Sequence, residues 1–304
     1  MKENGERENE KVEKTLKAGE ILRKVKKELP EIVKPGVRLI EIAEFVENRI
    51  IELGAFPAFP CNISVDRDAA HFTPKRGDER VLKEGSIVKV DIGAHVDGFV
   101  ADTAVTFDLG SDMPKLAEAA KEALENAISV VRDGVDVSEI GKVIEETARK
   151  YGFRPVYNLT GHGLERWIAH AKPTIYNYPA GKGVKLEEGM IVAIEPFVTN
   201  GIGKVTDRSE VEIFSLPPEV AGNERALKAV RMKQAREVLK EAMKFRTLPF
   251  AKRWLKKAPE VIISRLVREG FMRAYPVLAE VSGGNVAQAE HTIIVEKDAA
   301  VVVT

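Results

Sequence analysis

The chain of 304 residues has a single cysteine, Cys61, which excludes an internal disulfide framework and is typical of a reducing compartment. No run of about 18 apolar residues occurs, so the sequence predicts no membrane-spanning helix. The first 14 residues are almost all polar or charged, and they lack the apolar segment of a secretory signal peptide. Together these absences predict a soluble protein of the cytoplasm.

The chain also lacks a net charge, since 47 Lys and Arg balance 47 Asp and Glu. A global attraction to nucleic acid or to a membrane surface is therefore not expected. The balance hides one basic segment, because residues 223–273 contain 15 Lys and Arg against 5 Asp and Glu.

The sequence contains a rough copy of itself. Residues 82–91 align without gaps on residues 186–195, so that Asp91 falls on Glu195, and Asp102 and Glu290 end two further similar segments. A repeated αβ unit of this kind can bring its acids to one pseudo-twofold axis. Carboxylates gathered there repel each other unless a cation joins them, so the repeat predicts a metal site.

The two copies differ most in length between their acidic positions. Ten residues separate Asp91 from Asp102, whereas 94 separate Glu195 from Glu290, so the second copy carries an insertion of 84 residues. We expect an α/β (α+β) protein with a charged tail (1–14), which is either solvated or the frayed start of a helix, and one catalytic domain (15–304). The domain would comprise a first copy (about 15–111) and a second copy (about 112–304), with a basic, mostly helical insertion at 215–273.

Apolar periodicity predicts the main elements. Helices are expected at 14–29, 39–53, 116–131, 137–151, 224–246 and 260–273, and strands at 87–92, 100–107, 190–198 and 287–295. A turn is expected at 95–98, and a short irregular segment at 250–257.

The candidate metal ligands are four acids and one histidine. Asp91 and Asp102 occupy the two arms of a predicted hairpin, where cross-strand neighbours lie about 5 Å apart. Glu195 and Glu290 match them in the second copy, and His162 lies between two glycines. Such an oxygen-rich set favours Mn²⁺, Fe²⁺ or Co²⁺ over a structural Zn²⁺ site, and shared carboxylates imply two ions roughly 3.5 Å apart. The alternative is that these acids are surface residues or ion-pair partners.

The other histidines fall into two groups. His71 and His170 stand at nearly equivalent places in the two copies, so they either face one cleft or have separate structural roles. His95 lies in the predicted turn, and His291, which follows Glu290 in a strand, is expected to point to the opposite face. For Cys61 a buried, unreactive thiol is expected.

A set of ordered motifs resembles one known family, type II methionine aminopeptidase in its archaeal form, over residues 15–304. The motifs are Phe59-Pro60-Cys61-Asn62-Ile63-Ser64, Ala70-His71-Phe72-Thr73-Pro74, Asp91-Ile92-Gly93-Ala94, Ala101-Asp102-Thr103, Gly161-His162, His170-Ala171, Ile194-Glu195-Pro196-Phe197 and Gln288-Ala289-Glu290-His291-Thr292. The resemblance implies the pseudo-twofold pita-bread fold, with a helical insertion in its second half.

The resemblance also implies roles for individual residues. Asp91 would bind one metal ion, Asp102 and Glu290 would bridge two, and His162 and Glu195 would bind the second. His71 and His170 would contact the substrate, and His71 would be the histidine that epoxide inhibitors attack. Phe59 and Tyr275 would line the methionine side-chain pocket. Ala169 stands where some members of the family carry a larger aliphatic residue.

By this resemblance the protein would remove the N-terminal methionine from nascent proteins whose second residue is small. It would use two divalent ions, drawn from Co, Mn, Fe, Ni or Zn. Glu195 would carry the proton from the attacking water to the leaving amine, and His170 or His71 would stabilise the developing negative charge. A monomer is expected.

Two rival functions stay open. A proline (Xaa-Pro) dipeptidase shares the fold, but such enzymes usually carry a large N-terminal domain, and only about 33 residues precede the first repeated segment here. A non-enzymatic relative that binds RNA or protein would typically have lost metal ligands. The basic insertion would either contact ribosomal RNA near the peptide exit or simply expose Lys and Arg on helix surfaces.

Overall fold

The computed structural model describes residues 2–304, with side chains from residue 9 onwards. Its helices are α1 (Lys2–Ile32), α2 (Leu39–Glu52), α3 (Pro114–Ser129), α4 (Val137–Lys150), α5 (Glu224–Ala229), α6 (Lys233–Ala242) and α7 (Glu260–Arg268). Its strands are β1 (Phe56–Pro57), β2 (Asn62–Val65), β3 (Asp68–Ala70), β4 (Ile87–Val96), β5 (Phe99–Asp108), β6 (Arg154–Pro155), β7 (Thr160–Glu165), β8 (Ile168–Tyr176), β9 (Ile191–Ile194), β10 (Phe197–Thr199), β11 (Val205–Ser215), β12 (Phe250–Ala251), β13 (Arg273–Glu280), β14 (Val286–Gln288), β15 (Glu290–Val295) and β16 (Ala300–Val302).

Helix α4 shows how the sequence defines an element. The side chain of Asp136 accepts a hydrogen bond from the backbone N–H of Ser138 at 3.0 Å and so caps the helix start. Gly152, with φ of +83°, ends the helix in the left-handed conformation that glycine adopts readily. Ile140 and Ile144 lie between these ends on the buried face, so the amphipathic pattern places α4 against the sheet.

The charged N-terminal segment continues a helix. Helix α1 extends over Lys2–Ile32, so the backbone of residues 2–14 forms the start of this helix, which is one of the two predicted alternatives. Met1 lies outside the described residues. Leu22, Val25 and Leu29 form the buried stripe of α1 and fix its second half against the sheet.

The two copies form two cores on one sheet. The strand order is β1-β4-β5-β15-β9-β7-β8, with β2 added beside β4 and β16 beside β15. Helices α1 and α2 supply the first core, and α3 and α4 supply the second. Because β5 and β15 pair at the centre, the two halves of the repeat meet there.

The hairpin of the first copy is longer than predicted. Strand β4 continues to Val96, and the turn consists of Asp97 and Gly98, both with positive φ. His95 is therefore a strand residue, buried between the rings of Phe56 and Trp167.

The strands of the second copy are interrupted where single strands were predicted. Residues 190–198 divide into β9 and β10 at Glu195-Pro196, and these two strands join different sheets. Residues 287–295 divide into β14 and β15 at Ala289, again between two sheets. Proline lacks a donor for a continuous ladder, which explains the first interruption. Both interruptions adjoin an acid of the repeat, Glu195 or Glu290.

The insertion forms a lobe with its own core. Strands β11 and β13 pair and carry it, and Phe214, Leu239 and Phe250 belong to its buried cluster. The predicted helix 224–246 divides at Val230, whose extended backbone ends α5. The predicted helix 260–273 stops at Arg268, because Gly270 with φ of +79° ends it and β13 then begins. The apolar pattern of the sequence does not predict the strands β7, β8, β11 and β13.

A buried ion pair joins the lobe to the first copy. Arg253 of the lobe contacts Glu47 of α2, and Glu47 also accepts from the indole of Trp254 at 2.7 Å and from the backbone of Cys61 at 3.1 Å. Cys61 is buried, and burial raises the pKa of its thiol, as expected for an unreactive cysteine. Within residues 2–304, no helix combines the length and apolar character that crossing a bilayer would need.

Candidate metal centre

Five neighbouring strands each bring one candidate ligand to the same place. Along the order β4-β5-β15-β9-β7 these are Asp91, Asp102, Glu290, Glu195 and His162, with Glu195 directly after β9. Asp91 and Asp102 lie on opposite strands of the hairpin, where Asp91 pairs with Ala104 and Asp102 with Gly93. The adjacency of these strands explains why acids far apart in sequence converge.

The ligand atoms are close enough to share a cation. One ligand atom each from Asp102, His162 and Glu290 lies within 4.8 Å of the others. The Nε2 atom of His162 is 3.4 Å from Oε1 of Glu195 and 3.9 Å from Oδ2 of Asp102. All four side chains are buried.

The acids lack a compensating cation of the protein. In the part of the chain with described side chains, His162 is their one ion-pair partner within 4.0 Å. Burial and the nearby Glu195 raise the pKa of Asp91 to about 8. Burial and the neighbouring carboxylates also raise the pKa of Asp102 and of Glu290 well above their usual values. Such acids are costly to ionise unless a cation is present.

The donor set fits divalent metal ions. The Oδ1 atoms of Asp91 and Asp102 are buried and have no hydrogen-bond partner, so both are available as ligand atoms. Four carboxylates and one imidazole are the ligands that Mn²⁺, Fe²⁺ and Co²⁺ accept. The structure thus brings together the five residues that the sequence predicted as metal ligands.

The orientation of His162 is fixed by its own backbone. Its Nδ1 lies 3.2 Å from the carbonyl oxygen of Gly163, so Nδ1 donates its proton there and Nε2 points toward the acids. Burial would lower the pKa of His162, but the hydrogen bond and charge of Glu195, together with Asp102, outweigh burial and raise it. A metal ion would take the place of this proton.

Gln288 is a site residue that the sequence reasoning did not single out. Its amide Nε2 lies 3.4 Å from Oδ2 of Asp91 and 3.3 Å from Oε2 of Glu195, and the side chain is buried. Gln288 lies two residues before Glu290 in one of the family motifs, and this position is the feature of the sequence that could have identified it.

One cavity of about 470 Å³ contains every candidate site residue. Besides the four acids and one histidine of the cluster, its lining includes Phe59, His71, His170 and Tyr275. The lobe closes one side with Ile213, Ser215 and Leu216. The hydroxyl of Tyr275 lies 3.0 Å from Oγ of Ser215, which anchors the ring.

His170 enters the cavity from β8, whereas His71 enters it from the position directly after β3. Burial lowers the pKa of His71. Burial, with the charges of His162 and His71, lowers that of His170 well below its usual value, although His170 is open to the cavity. Both are therefore neutral near pH 7. The Nδ1 of His71 lies 3.2 Å from the carbonyl oxygen of Pro276, so its proton is on Nδ1 and Nε2 carries a lone pair.

Asn62 is another cavity residue outside the sequence expectations. It pairs with Asp91 across β2 and β4, and its Oδ1 is buried without a hydrogen-bond partner.

Gly93 lies under the ring of Phe59 so closely that a Cβ at this position would collide with the ring. The glycine therefore sets the depth of the cavity at Phe59.

The model of metallopeptidase family M24 matches residues 13–297. The chain belongs to this family. The methionine aminopeptidase of Archaeoglobus fulgidus is 62% identical over 293 residues, which are 96% of this chain and 98% of that protein. The methionine aminopeptidase of Thermococcus onnurineus is 51% identical, over 96% of this chain and 99% of that protein. These comparisons confirm the resemblance to methionine aminopeptidases.

Solved structures support the fold. Methionine aminopeptidase from Thermotoga maritima superposes with a TM-score of 0.71 at 25% identity, covering 97% of this chain and 96% of that chain. A thermophilic Arx1 reaches 0.82 at 19% identity, covering 97% and 90%. Prolidase from Pyrococcus furiosus reaches 0.62 at 19% identity, and the match covers 97% of this chain but only 64% of the prolidase. The predicted duplicated pita-bread fold is confirmed.

Proposed function

We propose that this protein is a methionyl aminopeptidase, which removes the N-terminal methionine from nascent proteins and peptides by hydrolysis at a centre of two divalent metal ions. The observation that carries the proposal is the convergence of Asp91, Asp102, Glu290, Glu195 and His162 from five adjacent strands on one cavity. Membership of the metallopeptidase family and the named relatives support the reaction.

The five converging residues would hold the ions. Asp102 and Glu290, with His162 within reach, are candidates for the shared ligands, and Asp91 and Glu195 flank them. When bound, two divalent ions would polarise the scissile carbonyl and lower the pKa of the attacking water.

Glu195 is the proposed proton carrier. It lies in the cavity directly after β9, and its Oε1 and Oε2 atoms face His162 and Gln288 respectively. A carboxylate held between two such partners can accept the proton of the attacking water and deliver it to the leaving amine. We assign His162 and Gln288 the task of keeping Glu195 in place.

The two neutral histidines are proposed to have different tasks. His71 has its Nδ1 proton directed to Pro276, so its Nε2 can accept a hydrogen bond but cannot donate one. We therefore assign to His170 the hydrogen bond that stabilises the developing negative charge on the substrate oxygen. His71 would accept from a peptide N–H, and its Nε2 lone pair would make it the nucleophile toward epoxides.

The methionine side chain is proposed to occupy the part of the cavity between Phe59 and Tyr275. Phe59 is held against Gly93, and Tyr275 against Ser215 and His71, whose ring centroid lies 5.6 Å from that of Tyr275. Aromatic walls suit a thioether side chain. The preference for a small second residue, inferred from the type II resemblance, belongs to the same proposal.

Hydrolysis of matched peptides tests the proposal. The protein is chelated and then assayed with Met-Gly-Gly and Ala-Pro-Gly peptides, with and without Mn²⁺ or Co²⁺. Metal-dependent release of methionine alone is expected. Cleavage only before proline would favour the proline dipeptidase function, and absence of cleavage with any metal would favour a binding protein.

The lobe supplies a second proposal, that the enzyme contacts ribosomal RNA near the peptide exit. Cationic side chains are exposed on α5, α6 and the segment after β12, including Lys228, Lys233, Lys240 and Lys256. Changing these four to Gln should weaken ribosome binding and flatten its salt dependence. Four exposed lysines of the repeat, Lys17, Lys75, Lys121 and Lys142, serve as the matched control. Equal ribosome binding by the two variants would show that the four lysines of the lobe are solvated and do not contact RNA.

We also propose the domain organisation expected from the sequence, with 15–304 as the catalytic domain, copies at about 15–111 and 112–304, and the insertion at 215–273. The position of the lobe between β11 and β13 supports these limits and the type II assignment. A cytoplasmic monomer is part of the same proposal. Light scattering of the purified protein tests the monomer.

A further inference from the structure

The strands that carry Asp102 and Glu290 are joined by threonine hydroxyls where their backbone ladder stops. Strands β5 and β15 pair through Ala104 with Glu290 and through Thr103 with His291. At the next position the side chain of Thr292 takes the place of the backbone in bonding to β5. Its Oγ1 accepts from the backbone N–H of Asp102 at 2.7 Å and lies 2.9 Å from the carbonyl oxygen of Asp102, to which it donates.

A second threonine supports the same residue. Oγ1 of Thr304 lies 3.0 Å from the carbonyl oxygen of Asp102, and it accepts from the backbone N–H of Thr292 at 3.0 Å. Thr292 is 0% exposed and Thr304 is 3% exposed, so these hydroxyls have no alternative partner in bulk water. Both backbone polar groups of Asp102 on the side of β15 are thus bound by threonine side chains.

The neighbouring acid is held in the same way. Oγ1 of Thr103 donates to the carbonyl oxygen of Glu290 at 2.8 Å, and Thr103 is itself fully buried. Nζ of Lys26, from α1, lies 3.2 Å from the same hydroxyl. Each of the two central acids therefore has its backbone carbonyl bound to a buried threonine hydroxyl.

This arrangement suits two acids that repel each other. Adjacent strands must direct both side chains to one place although the carboxylates repel each other. Backbone-to-backbone bonds would hold the strands at the ordinary sheet spacing of about 4.8 Å. The threonine hydroxyls instead bind the N–H and C=O groups of Asp102 where the backbone ladder stops, so both buried groups stay satisfied.

We propose that Thr292 and Thr304 are positioning residues, which hold the backbone of Asp102 so that its carboxylate is placed to bind metal together with Glu290. The inference rests on the proposed metal-dependent function. Neither threonine touches the substrate cavity, so each acts through Asp102. Partners that orient a ligand in this way typically contribute about 10- to 100-fold in metal affinity.

The test compares isosteric variants by Mn²⁺ binding, with free Mn²⁺ measured by electron paramagnetic resonance and no peptide present. Thr292→Val removes both hydrogen bonds to Asp102 but keeps the shape, whereas Thr292→Ser keeps the hydroxyl. The control is Thr147→Val in α4, which removes a buried hydroxyl that donates to the carbonyl oxygen of Val143 at 2.8 Å, remote from the acids. Thermal unfolding of all variants reports the structural cost separately.

We expect Thr292→Val to bind Mn²⁺ at least tenfold more weakly, Thr292→Ser to bind almost as the unchanged protein does, and Thr147→Val to bind equally well despite a lower melting temperature. If Thr292→Val does not fold, Thr304→Val is measured instead, with the same direction expected. Unchanged affinity in the valine variant, or an equal loss in Thr147→Val, would overturn the inference. Failure of the unchanged protein to bind Mn²⁺ would overturn the metal-dependent function as well.

Discussion

Asp91 and Glu195 occupy equivalent positions in the two copies of the repeat, and both lie within 3.4 Å of the same amide nitrogen, Nε2 of Gln288. The duplication thus places one acid of each copy on either side of a shared donor. Gln288 belongs to the strand just before Glu290, so three segments distant in sequence meet at this amide.

Glu195→Gln should lower kcat/KM for methionyl peptides by at least about 100-fold, because the amide cannot accept the proton of the attacking water. The melting temperature should change little, since the amide has the same shape. Glu188→Gln, in the exposed turn before β9, is the matched control and should retain full activity. Full activity in Glu195→Gln would contradict its assignment as the proton carrier.

Removal of metal should make stability depend on pH. The pKa of Asp91 in the folded protein is about 8, above the value of about 4 for an unfolded chain. An acid with a raised pKa favours folding while it is protonated, so its contribution is complete below about pH 4 and is lost as pH rises through about 8. The chelated protein should therefore melt at progressively lower temperature from pH 5 to pH 8.

Two comparisons isolate this effect by differential scanning fluorimetry. Asp91→Asn should show a weaker decline than the unchanged protein, because it removes one of the titrating acids. Added Mn²⁺ should raise the melting temperature more at pH 8 than at pH 5. Identical pH profiles for the chelated protein and for Asp91→Asn would rule out the assigned cause.

The sequence predicts the acids of the centre because the repeat marks them. Asp91 and Glu195 align without gaps, and the apolar residues before them predict buried strands. The hairpin that brings Asp91 near Asp102 follows from local alternation and a turn signal at Asp97-Gly98. These are short-range patterns, which a single sequence records well. The role of Phe59 and Tyr275, by contrast, was accessible only through family resemblance.

The remaining features depend on contacts between distant segments. Pro196 marks a local interruption, but the local sequence does not reveal that the chain then joins another sheet, or that Thr292 replaces a backbone ladder beside Asp102. Strands β7 and β8 were missed because glycine, proline and histidine interrupt their apolar pattern. Gln288 and Asn62 reach the site only because β14 packs against the hairpin and β2 pairs with β4.

Arg253→Met should destabilise the protein by about 3–5 kcal/mol, because Glu47 would stay buried without its cationic partner. Glu47 is 7% exposed, and the Arg253 side chain is 5% exposed. The free energy of unfolding is measured by chemical denaturation. Lys24→Met, which removes an exposed ion pair with Glu20, is the control and should leave the midpoint nearly unchanged. Equal effects of the two changes would show that the lobe is held by other contacts.

Gly93→Ala should raise KM for methionyl peptides by about tenfold, because the new Cβ would push the Phe59 ring into the proposed methionine pocket. The backbone of Gly93 does not require positive φ, so alanine itself causes no backbone strain. The double variant Gly93→Ala with Phe59→Leu should recover part of the affinity, since leucine needs less space. Steady-state kinetics measure both effects. An unchanged KM in Gly93→Ala would show that Phe59 does not line the methionine pocket.

The most direct test of the central claim is anomalous diffraction from crystals of the protein grown with Mn²⁺, recorded near the manganese edge. Two peaks roughly 3.5 Å apart are expected, with Asp102 and Glu290 contacting both ions and Asp91, Glu195 and His162 contacting one each. Absence of a peak among these five residues, or Mn²⁺ bound only elsewhere, would show that they do not form the proposed two-metal centre.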